Sequence, residues 1–499
     1  MGKHRRTIRQ VWILVFSLIL SFSCMKNDKK IVVAMKENED ESVLDPSQLW
    51  LADKYVVMDN LSIKLVHINS KNDYELVLAD KIDISNDGRT VDIKLKTAFF
   101  SDGTQITAHD VARSFKRLAL QGSAHIPIRD IVLGADKLKS IDETIDGLTV
   151  ISKQNIKITL NDRVKEIIYY FTLADMGVLH ESIVYKKEIL QGDWKIVSGA
   201  FFFNDKQLIA NPKFLLYHGD MPSSIRFQTP STTGSQSDLI KYDIGYSSFL
   251  DKSNNDNATL SHPYKYTSAS FDTLAYLILN TRRPIFEDIR RRQKIHKLIS
   301  QNFEPKEKYA FFKKANQFFL PDSFAFQRTF NPAEVLIDDY TEIVIPDFTV
   351  LATVGTKKYT TPGLENNISS ALGNKTNISF SDDISLFKTR KIERSFDAYL
   401  IPTSMSYNVV TESLNLLYRS NVRFGNNPNG RIIKLIDEYQ KASGTAPEVI
   451  EKIVTEMTLE SEVIPLLYAS SPKFYNSDRI NISEMNSAES LTFWKIRVK

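Results

Sequence analysis

The regular alternation of apolar and polar residues between positions 82 and 96 constrains the fold of this chain more than any other feature. An Asn-Asp-Gly turn at 86–88 divides the segment into two halves. The apolar positions that alternate with polar ones are Ile82, Ile84, Val91, Ile93 and Leu95. A period of two places such residues on one face of a strand. The segment therefore predicts a β-hairpin with one buried face.

Two further hairpins and several helices are predicted along the chain. The segments 147–160 and 200–210 each place apolar residues on both sides of a short polar turn. Thr107 is a favourable N-cap, Asp110 follows in a capping-box position, and an apolar stripe at helical spacing comes next. Similar stripes at 431–442 and after the Pro at 447 predict two more helices. The chain is thus predicted to be a mixed α/β protein.

The first 23 residues have the layout of a secretory signal. Residues 1–10 carry four Lys and Arg and no acid, and residues 11–22 are almost wholly apolar. An apolar run this short is below the roughly 20 residues that a transmembrane helix needs. We therefore expect residues 1–23 to be a signal peptide rather than a permanent span.

Cys24 is the only cysteine in the 499 residues, so a disulfide within the chain is excluded. It follows a Ser-Phe-Ser sequence at the end of the apolar run, which resembles a bacterial lipobox. Lipidation of Cys24 would anchor the protein to a membrane, with residues 24–30 as a short tether. Ordinary signal cleavage beside an incidental cysteine is the alternative.

Charge and motifs exclude several classes of function. Without residues 1–23 the chain keeps 60 of its 64 Lys and Arg against 60 Asp and Glu, so the basic excess belongs to the leader. A nucleic-acid partner would require a basic patch, and none is expected. The eight His have no metal-binding spacing, and G-x-S-x-G, P-loop and H-E-x-x-H motifs are absent. We expect no enzyme activity, no cofactor and no metal.

The segment 99–117, FFSDGTQITAHDVARSFKR, combines a strand end, an Asp-Gly turn and a capped helix. It resembles the signature of the bacterial extracellular solute-binding proteins of the oligopeptide, dipeptide and nickel class. Further segments resemble the family's motifs in the family's order. They are Leu44-Asp45-Pro46, the hairpin at 80–95, Ser198-Gly199-Ala200-Phe201 with Asn211-Pro212, the run 276–292, and Pro465-Leu466.

The resemblance implies an α/β, two-lobed periplasmic-binding-protein type II fold with an extra inserted domain. Ligand would lie in a cleft between the lobes, which close by a hinge motion. The chain would cross between lobes near 260 and 475. The implied limits are 31–60, 180–260 and 475–499 for domain I, 61–179 for domain II, and 261–474 for domain III, the distal lobe.

The resemblance also implies where a ligand is held. The family supplies an Asp, in a W-x-x-D-Y segment after a strand that begins F-D, as the countercharge for a peptide ammonium. Here Phe396-Asp397 matches the strand start, Thr403 replaces the Trp, Ser406 replaces the Asp, and Tyr407 agrees. The predicted contacts in this segment are Thr403, Ser404, Ser406 and Tyr407.

A serine at 406 changes the expected ligand chemistry. A hydroxyl accepts a hydrogen bond from an ammonium but cannot neutralise it, and an uncompensated buried charge costs several kcal/mol. Either the ligand lacks a free amino terminus, another acid supplies the charge, or ordinary peptide binding has been lost. Asp40 and Glu41 are the candidate acids because the family lines its cleft with this loop; the alternative is that both are solvated.

Two tyrosines complete the predicted ligand contacts. Tyr246 follows a short domain I strand at a cleft position of the family, and Tyr276 begins a family-like segment. Tyrosine suits such sites because it offers a flat apolar body with a polar tip. Arg290-Arg291-Arg292 could attract an anion, but on a helix they point to different sides, which favours a solvated face.

The function implied is a substrate-binding lipoprotein that captures peptides or peptide-like solutes for an ABC importer permease. Such a protein would be a monomer at the periplasm or cell surface, anchored to the membrane through its N-terminal lipid. The alternative is a transport-independent sensor or surface binding module on the same fold. A hydrolase is not supported, because no pair of nucleophile and base can be named.

Overall fold

The computed structural model describes most of the chain from residue 29 onward. The described ranges are 29–35, 44–49, 52–69, 71, 73–123, 125–186, 189–192, 194–230, 236–246, 260–267, 271–305, 312–326, 330–336, 339–353, 364–381, 395–404, 409–418, 430–442, 444–470, 472–485 and 491–499. Strands and helices are mixed throughout these ranges, which confirms the predicted α/β class.

The strands fall into six sheets within the described residues. In chain order they are β1 Lys30–Ala34, β2 Val66–Ile68, β3 Tyr74–Leu76, β4 Ala79–Ile84, β5 Thr90–Leu95, β6 Leu148–Ser152, β7 Asn155–Thr159, β8 Val184–Lys186, β9 Ile189–Gln191, β10 Phe201–Asn204, β11 Gln207–Ala210, β12 Ser224–Gln228, β13 Ile244–Tyr246, β14 Tyr264–Tyr266, β15 Thr273–Leu279, β16 Phe312–Lys314, β17 Phe348–Thr353, β18 Thr376–Ser381, β19 Ala398–Ser404, β20 Val463–Ala469, β21 Lys473–Asn476, β22 Ile480–Asn481 and β23 Arg497–Val498.

The helices are distributed between these strands. The α-helices are α1 Ala52–Leu61, α2 Ala108–Gln121, α3 Ile128–Ile131, α4 Ile167–Tyr170, α5 Ile289–Asn302, α6 Pro332–Val335, α7 Leu364–Ala371, α8 Thr411–Tyr418, α9 Arg431–Lys441 and α10 Pro447–Glu460. Short 3-10 turns also occur, including one at Pro46–Gln48. None of the helices in the described ranges is long and apolar enough to cross a membrane.

The three predicted hairpins are confirmed. In the first, Ile82 of β4 lies opposite Ile93 of β5, and the inward side chains of β5 are almost fully buried. The prediction of a buried face is wrong for Ile84 of β4, which is 43% exposed. The second pairs β6 with β7, and the third pairs β10 with β11. The third turns at Asp205 and Lys206, which both have positive φ, as in the tight hairpin turns that match strand twist.

The predicted capped helix begins as α2, and the segment before it is fixed by local contacts. The backbone N–H of Thr107 donates to the Asp110 carboxylate at 2.8 Å. Asp102 accepts hydrogen bonds from the backbone and hydroxyl of Thr104, which holds the Asp-Gly turn. The Ser101 N–H donates to the Val197 carbonyl. These contacts stabilise the packing of the strand end against its own lobe.

Lobe one contains a seven-stranded and a four-stranded sheet. The strand orders are β10-β11-β12-β1-β13-β21-β14 and β4-β5-β7-β6. One apolar core runs through both sheets: Ile31 and Ile225 from the larger sheet and Ile93 and Ile156 from the smaller belong to it. The two sheets therefore share a continuous core.

Lobe two is a six-stranded sheet of order β16-β20-β15-β19-β17-β18, covered on both faces by α5 to α10. All seven side chains of β15 and all seven of β20 are buried. Separate apolar clusters lie on the two faces, one containing Ile436 of α9 and the other Ile295 of α5. Strands covered on both faces are expected to be continuously apolar, as these two are.

The chain crosses between the lobes twice: from β14, which ends at Tyr266, to β15, which begins at Thr273, and from β20, which ends at Ala469, to β21, which begins at Lys473. The first follows β14, and the second precedes β21, its neighbour in the larger sheet of lobe one. The Thr267 N–H donates to the Lys473 carbonyl at 2.8 Å, and the Lys473 N–H donates to the Thr267 hydroxyl at 2.9 Å. The crossings are thus hydrogen-bonded to each other where they leave lobe one.

The solvated face expected for the three consecutive arginines is wrong for Arg292. Its side chain is buried and pairs with Glu460, whereas Arg290 and Arg291 are largely at the surface. Consecutive helical residues point in different directions, so one of the three turns toward α10. Its charge is compensated inside the lobe.

Candidate functional site

The edge of lobe one that faces the crossings is formed by carboxyl ends of parallel strands. β1 runs parallel to β13, with Ala34 opposite Gly245, and Tyr246 lies one residue beyond. In open α/β sheets, ligands bind outside the carboxyl ends of the strands. Tyr246 pairs with Lys473, the first residue after the second crossing. The predicted contact Tyr246 therefore lies at the boundary between the lobes, with its side chain half-buried.

Two neighbouring residues fix the position of Tyr246. Asp243 accepts a hydrogen bond from the Val32 N–H at 2.8 Å and pairs with Arg479 at 2.7 Å, which ties β13 to β1. Burial raises the pKa of the Asp243 carboxyl, and the hydrogen bond from Val32 and the charge of Arg479 oppose that shift. Gly245 leaves no room for a side chain, because a Cβ would lie 2.6 Å from the Ala34 Cβ.

A buried cation accompanies this tyrosine. The Lys473 ammonium is 5.8 Å from the centroid of the Tyr246 ring, and the residue is 1% exposed. A cation at this distance from an aromatic face is attracted by the ring quadrupole. Tyr266, at the end of β14 beside the crossing, is partly buried, and burial raises its pKa to about 12. The boundary of lobe one is therefore aromatic, with a positive charge behind it.

The facing edge of lobe two is formed by the strand ends at Thr273, Ser404 and Ala469. Thr273 opens β15 directly after the first crossing, and it lies opposite Ser404 on one side and Ala469 on the other. The chain therefore leaves β19 toward lobe one at Ser404. The segment predicted to contact ligand starts at this edge.

Thr403 and Tyr276 are placed inside lobe two. Thr403 is 7% exposed and lies opposite Leu274 in the sheet. Tyr276 is fully buried in the apolar core, and its hydroxyl donates to the Phe318 carbonyl at 3.0 Å. This burial favours a packing role for Tyr276, which has no exposed surface for a ligand in this conformation.

The other predicted residues fall outside the described ranges. They are Cys24, Asp40, Glu41, Ser406 and Tyr407, and the side chain of Ser404 also lies outside them. Their proposed roles stay predictions. On the sequence, the two acids lie between Met35, next to β1, and the Asp45 cap of the 3-10 turn at Pro46–Gln48.

Asp397, at the strand start that resembles the family, is a structural carboxylate. It pairs with Arg283 at 3.0 Å and accepts hydrogen bonds from the Thr349 N–H and hydroxyl at 2.9 and 2.8 Å. Burial acts to raise the pKa of Asp397, but these hydrogen bonds and the Arg283 charge hold it below its ordinary value. It joins β19 to β17 and does not serve as a countercharge at the cleft.

Two charged residues at the lobe boundary were missed in the sequence. Lys473 stands in a short polar stretch and Glu166 in the charged run 161–166, both of which are typical of exposed segments. The structure buries both, Lys473 at 1% and Glu166 at 9% exposure. The only local signals of burial were Pro472, which precedes Lys473, and the apolar run 167–171, which follows Glu166.

Within the described ranges, no group of three or more His, Cys, Asp or Glu side chains is arranged to hold a metal ion. The boundary residues instead offer an aromatic ring, strand-end backbone groups and hydroxyls. Such groups can hold a polar solute by hydrogen bonds and stacking.

Comparison with known proteins identifies the family. The sequence profile of the bacterial extracellular solute-binding proteins, family 5 (middle region), matches residues 73–335, which is more than half of the chain. The chain belongs to this family. As a family 5 solute-binding protein it is a member of a group that is not enzymatic in general.

A curated relative agrees with this assignment. The dipeptide-binding protein of Lactococcus lactis subsp. cremoris is 25% identical over 258 residues, which cover 48% of this chain. The match spans about half of that relative, 47% of its length.

Two solved structures share the fold. A periplasmic oligopeptide-binding protein from Borrelia burgdorferi is similar with a TM-score of 0.75 at 15% identity, covering 94% of this chain and 100% of that one. The DppA binding protein of Helicobacter pylori, in complex with the peptide STSA, has a TM-score of 0.73 at 15% identity, covering 94% and 98%. This family 5 protein therefore has the type II periplasmic binding protein fold.

Proposed function

We propose that this solute-binding protein captures peptides or peptide-like solutes between its lobes and delivers them to the permease of an ABC importer. The observation that carries the proposal is the opposition of two strand-end edges across the crossings. Tyr246 lies on one edge, and the Ser404 end of β19 lies on the other. The dipeptide and peptide ligands named for the relatives support the same class of ligand.

The proposed ligand either has no free ammonium group or carries its own negative charge to compensate that group. Ser406 stands where the family places an acid, and a hydroxyl there would leave a ligand ammonium without a countercharge. A ligand ammonium in this cleft would be costly unless Asp40 or Glu41 approached it. Peptides with a blocked amino end, or peptide-like solutes, fit this charge pattern better.

The test is to identify what the protein carries. We expect small molecules of peptide type in mass spectra of the natively purified protein. After unfolding and refolding to strip them, a mixed peptide pool should raise its melting temperature, because a ligand that binds only the native state stabilises it by mass action. An empty native protein that no peptide pool stabilises would contradict the proposal.

A transport-independent sensor or surface module is the second candidate. The replacement of the family's Trp and Asp by Thr403 and Ser406 favours it, because ordinary peptide capture would retain them. Deletion of the gene separates the two. Loss of uptake of the co-purifying solute supports transport, and unchanged uptake with an altered cellular response supports the sensor.

We also propose that the protein is a membrane-anchored lipoprotein at the periplasm or cell surface, a monomer tethered by residues 24–30 after removal of residues 1–23. Cys24→Ala tests the anchor. Labelled fatty acid should be incorporated by the parent and not by the variant, and the variant should leave the membrane fraction. The proposal also includes the domain limits. Domain I comprises 31–60, 180–260 and 475–499, domain II comprises 61–179, and domain III comprises 261–474.

A further inference from the structure

Glu166 of lobe one forms hydrogen bonds with lobe two. Its Oε1 accepts from the Val410 N–H at 3.0 Å and the Tyr439 hydroxyl at 3.3 Å. Its Oε2 accepts from the Thr411 N–H at 3.1 Å and also from the Thr411 hydroxyl. One carboxylate thus receives four donors from the start of α8 and from α9.

Neighbouring residues extend the same contact. Lys165 donates its backbone N–H to the Gln440 side chain at 3.0 Å, and its ammonium lies 3.9 Å from the centroid of the Tyr439 ring. Tyr170, at the end of α4, accepts a hydrogen bond from the Asn415 amide at 3.2 Å. All of these contacts join residues 165–170 to α8 and α9.

Apolar packing supports the contact. Val409, one residue before Val410, is 1% exposed and belongs to the apolar core of lobe one, whereas Val410 belongs to a core cluster of lobe two. Thr411 is fully buried. Val409 and Val410 therefore belong to the cores of different lobes, and Glu166 bonds the backbone immediately after Val409.

In the described part of the chain Glu166 forms no ion pair, although the charge of Lys165, its neighbour in sequence, attracts it at longer range. Its carboxylate faces the first N–H groups of α8, where a helix favours an anion. Burial raises the pKa of Glu166, and its hydrogen bonds oppose the shift. If the lobes separated, all four donors would leave the Glu166 carboxylate, and water would take their place.

We propose that Glu166 and the start of α8 form an inter-lobe clasp that holds the protein closed without ligand. Lobes that open by a hinge must break these hydrogen bonds and expose Val409. The clasp therefore sets the ratio of open to closed protein. Because a ligand binds more weakly when the competent state is less populated, the clasp also sets the apparent affinity for any solute that is held in the closed cleft.

Glu166→Gln is the primary variant. Glutamine keeps the size of the side chain but turns an NH2 group toward N–H and hydroxyl donors, so at least one donor pair loses its acceptor. Thr411→Val is the partner variant, because it removes the hydroxyl donor from lobe two at nearly constant volume. Glu181→Gln is the matched control: it makes the same charge change at an exposed position of lobe one.

The readout is the distance between lobes in protein stripped of ligand. Spin labels at Lys139→Cys on lobe one and Glu451→Cys on lobe two, in a Cys24→Ser background, report it by pulsed electron resonance. We expect Glu166→Gln to raise the open-to-closed ratio roughly tenfold, as the loss of hydrogen bonds to a charged group would. Thr411→Val should shift the ratio in the same direction by less, and Glu181→Gln should leave it unchanged.

Distance distributions identical in the parent, Glu166→Gln and Thr411→Val would overturn the clasp. If Glu166→Gln does not fold, Thr411→Val alone decides, because a hydroxyl-to-methyl change that leaves the distances unaltered also overturns it. The measurement needs no ligand, so it is independent of the proposed peptide capture. A peptide pool that fails to stabilise the parent would remove that proposal while the distance result stands.

Discussion

The guanidinium of Arg292 lies 3.2 Å from the carboxylate of Glu460, and both side chains are almost wholly shielded from water. Arg292 also donates to the backbone carbonyls of Glu460, Phe286 and Glu287 at 2.8–3.1 Å. Its hydrogen bonds therefore connect the start of α5 to the end of α10. An ion pair of this kind couples two helices whose apolar sides belong to the core clusters on opposite faces of the sheet of lobe two.

We expect Arg292→Met to destabilise the protein strongly. Removal of Arg292 leaves the buried Glu460 charge without its ion-pair partner, which costs about 3–5 kcal/mol. Thermal unfolding checks this, and Arg290→Met is the control because Arg290 is exposed on the same helix. The control should change stability by less than about 0.5 kcal/mol. Equal melting temperatures for the two variants would contradict the assigned role of Arg292.

His296, one turn further along α5, should make stability depend on pH. It is fully buried, its Nδ1 lies 3.1 Å from the Ser461 hydroxyl, and burial lowers its pKa from 6.5 to about 4. As pH falls through 6.5 the unfolded chain takes up a proton that the folded protein cannot accept until about pH 4. Stability is therefore lost over that window, by about 2 kcal/mol between pH 7 and pH 5.

His296→Gln tests this by its difference from the parent. The variant should lack this part of the decline when denaturant unfolding is measured at both pH values. His109→Gln, at an exposed position of α2, should retain it. A parent and a His296→Gln variant with parallel pH profiles would show that the burial of His296 does not govern the decline.

Gly199 should not tolerate a side chain. A Cβ at this position would lie 2.3 Å from the Leu61 carbonyl carbon and 2.5 Å from the Asn60 oxygen. Both are backbone atoms, so the end of α1 would have to move, and we expect Gly199→Ala to cost about 1–3 kcal/mol. At Gly219 a Cβ would meet nothing within 4 Å, so Gly219→Ala is the control. Similar melting temperatures for the two alanine variants would exclude the steric explanation.

The parts of the fold that were predicted are those in which a short stretch of sequence carries the whole signal. The hairpin at 82–96 and the helix after Thr107 depend on a period of two and on a cap, which neighbouring residues supply. The arrangement of lobes came from the family resemblance and could not have come from periodicity. Local order is encoded locally, and the placement of lobes depends on contacts between distant segments.

The buried charges could not be predicted for the same reason. Arg292 is buried because Glu460 lies beside it, 168 residues along the chain, and nothing in the run of three arginines distinguishes the third from the other two. Glu166 finds its donors 244 and 245 residues away, at Val410 and Thr411. A charged residue in a polar stretch indicates solvent exposure unless its distant partner is known.

Ser406→Asp should change which peptides are bound. On the proposed alignment Ser406 replaces the family's countercharge, so we expect the parent to bind an amino-acetylated tripeptide at least as well as the free-amino form. Aspartate would restore the charge and strengthen binding of the free-amino form by about tenfold or more, while binding of the acetylated form should not improve. Isothermal titration of both peptides measures this, and Ser406→Asn is the uncharged control of similar size. If the parent, Ser406→Asn and Ser406→Asp bind the free-amino peptide alike, the charge is supplied elsewhere and Asp40 and Glu41 become the next residues to replace.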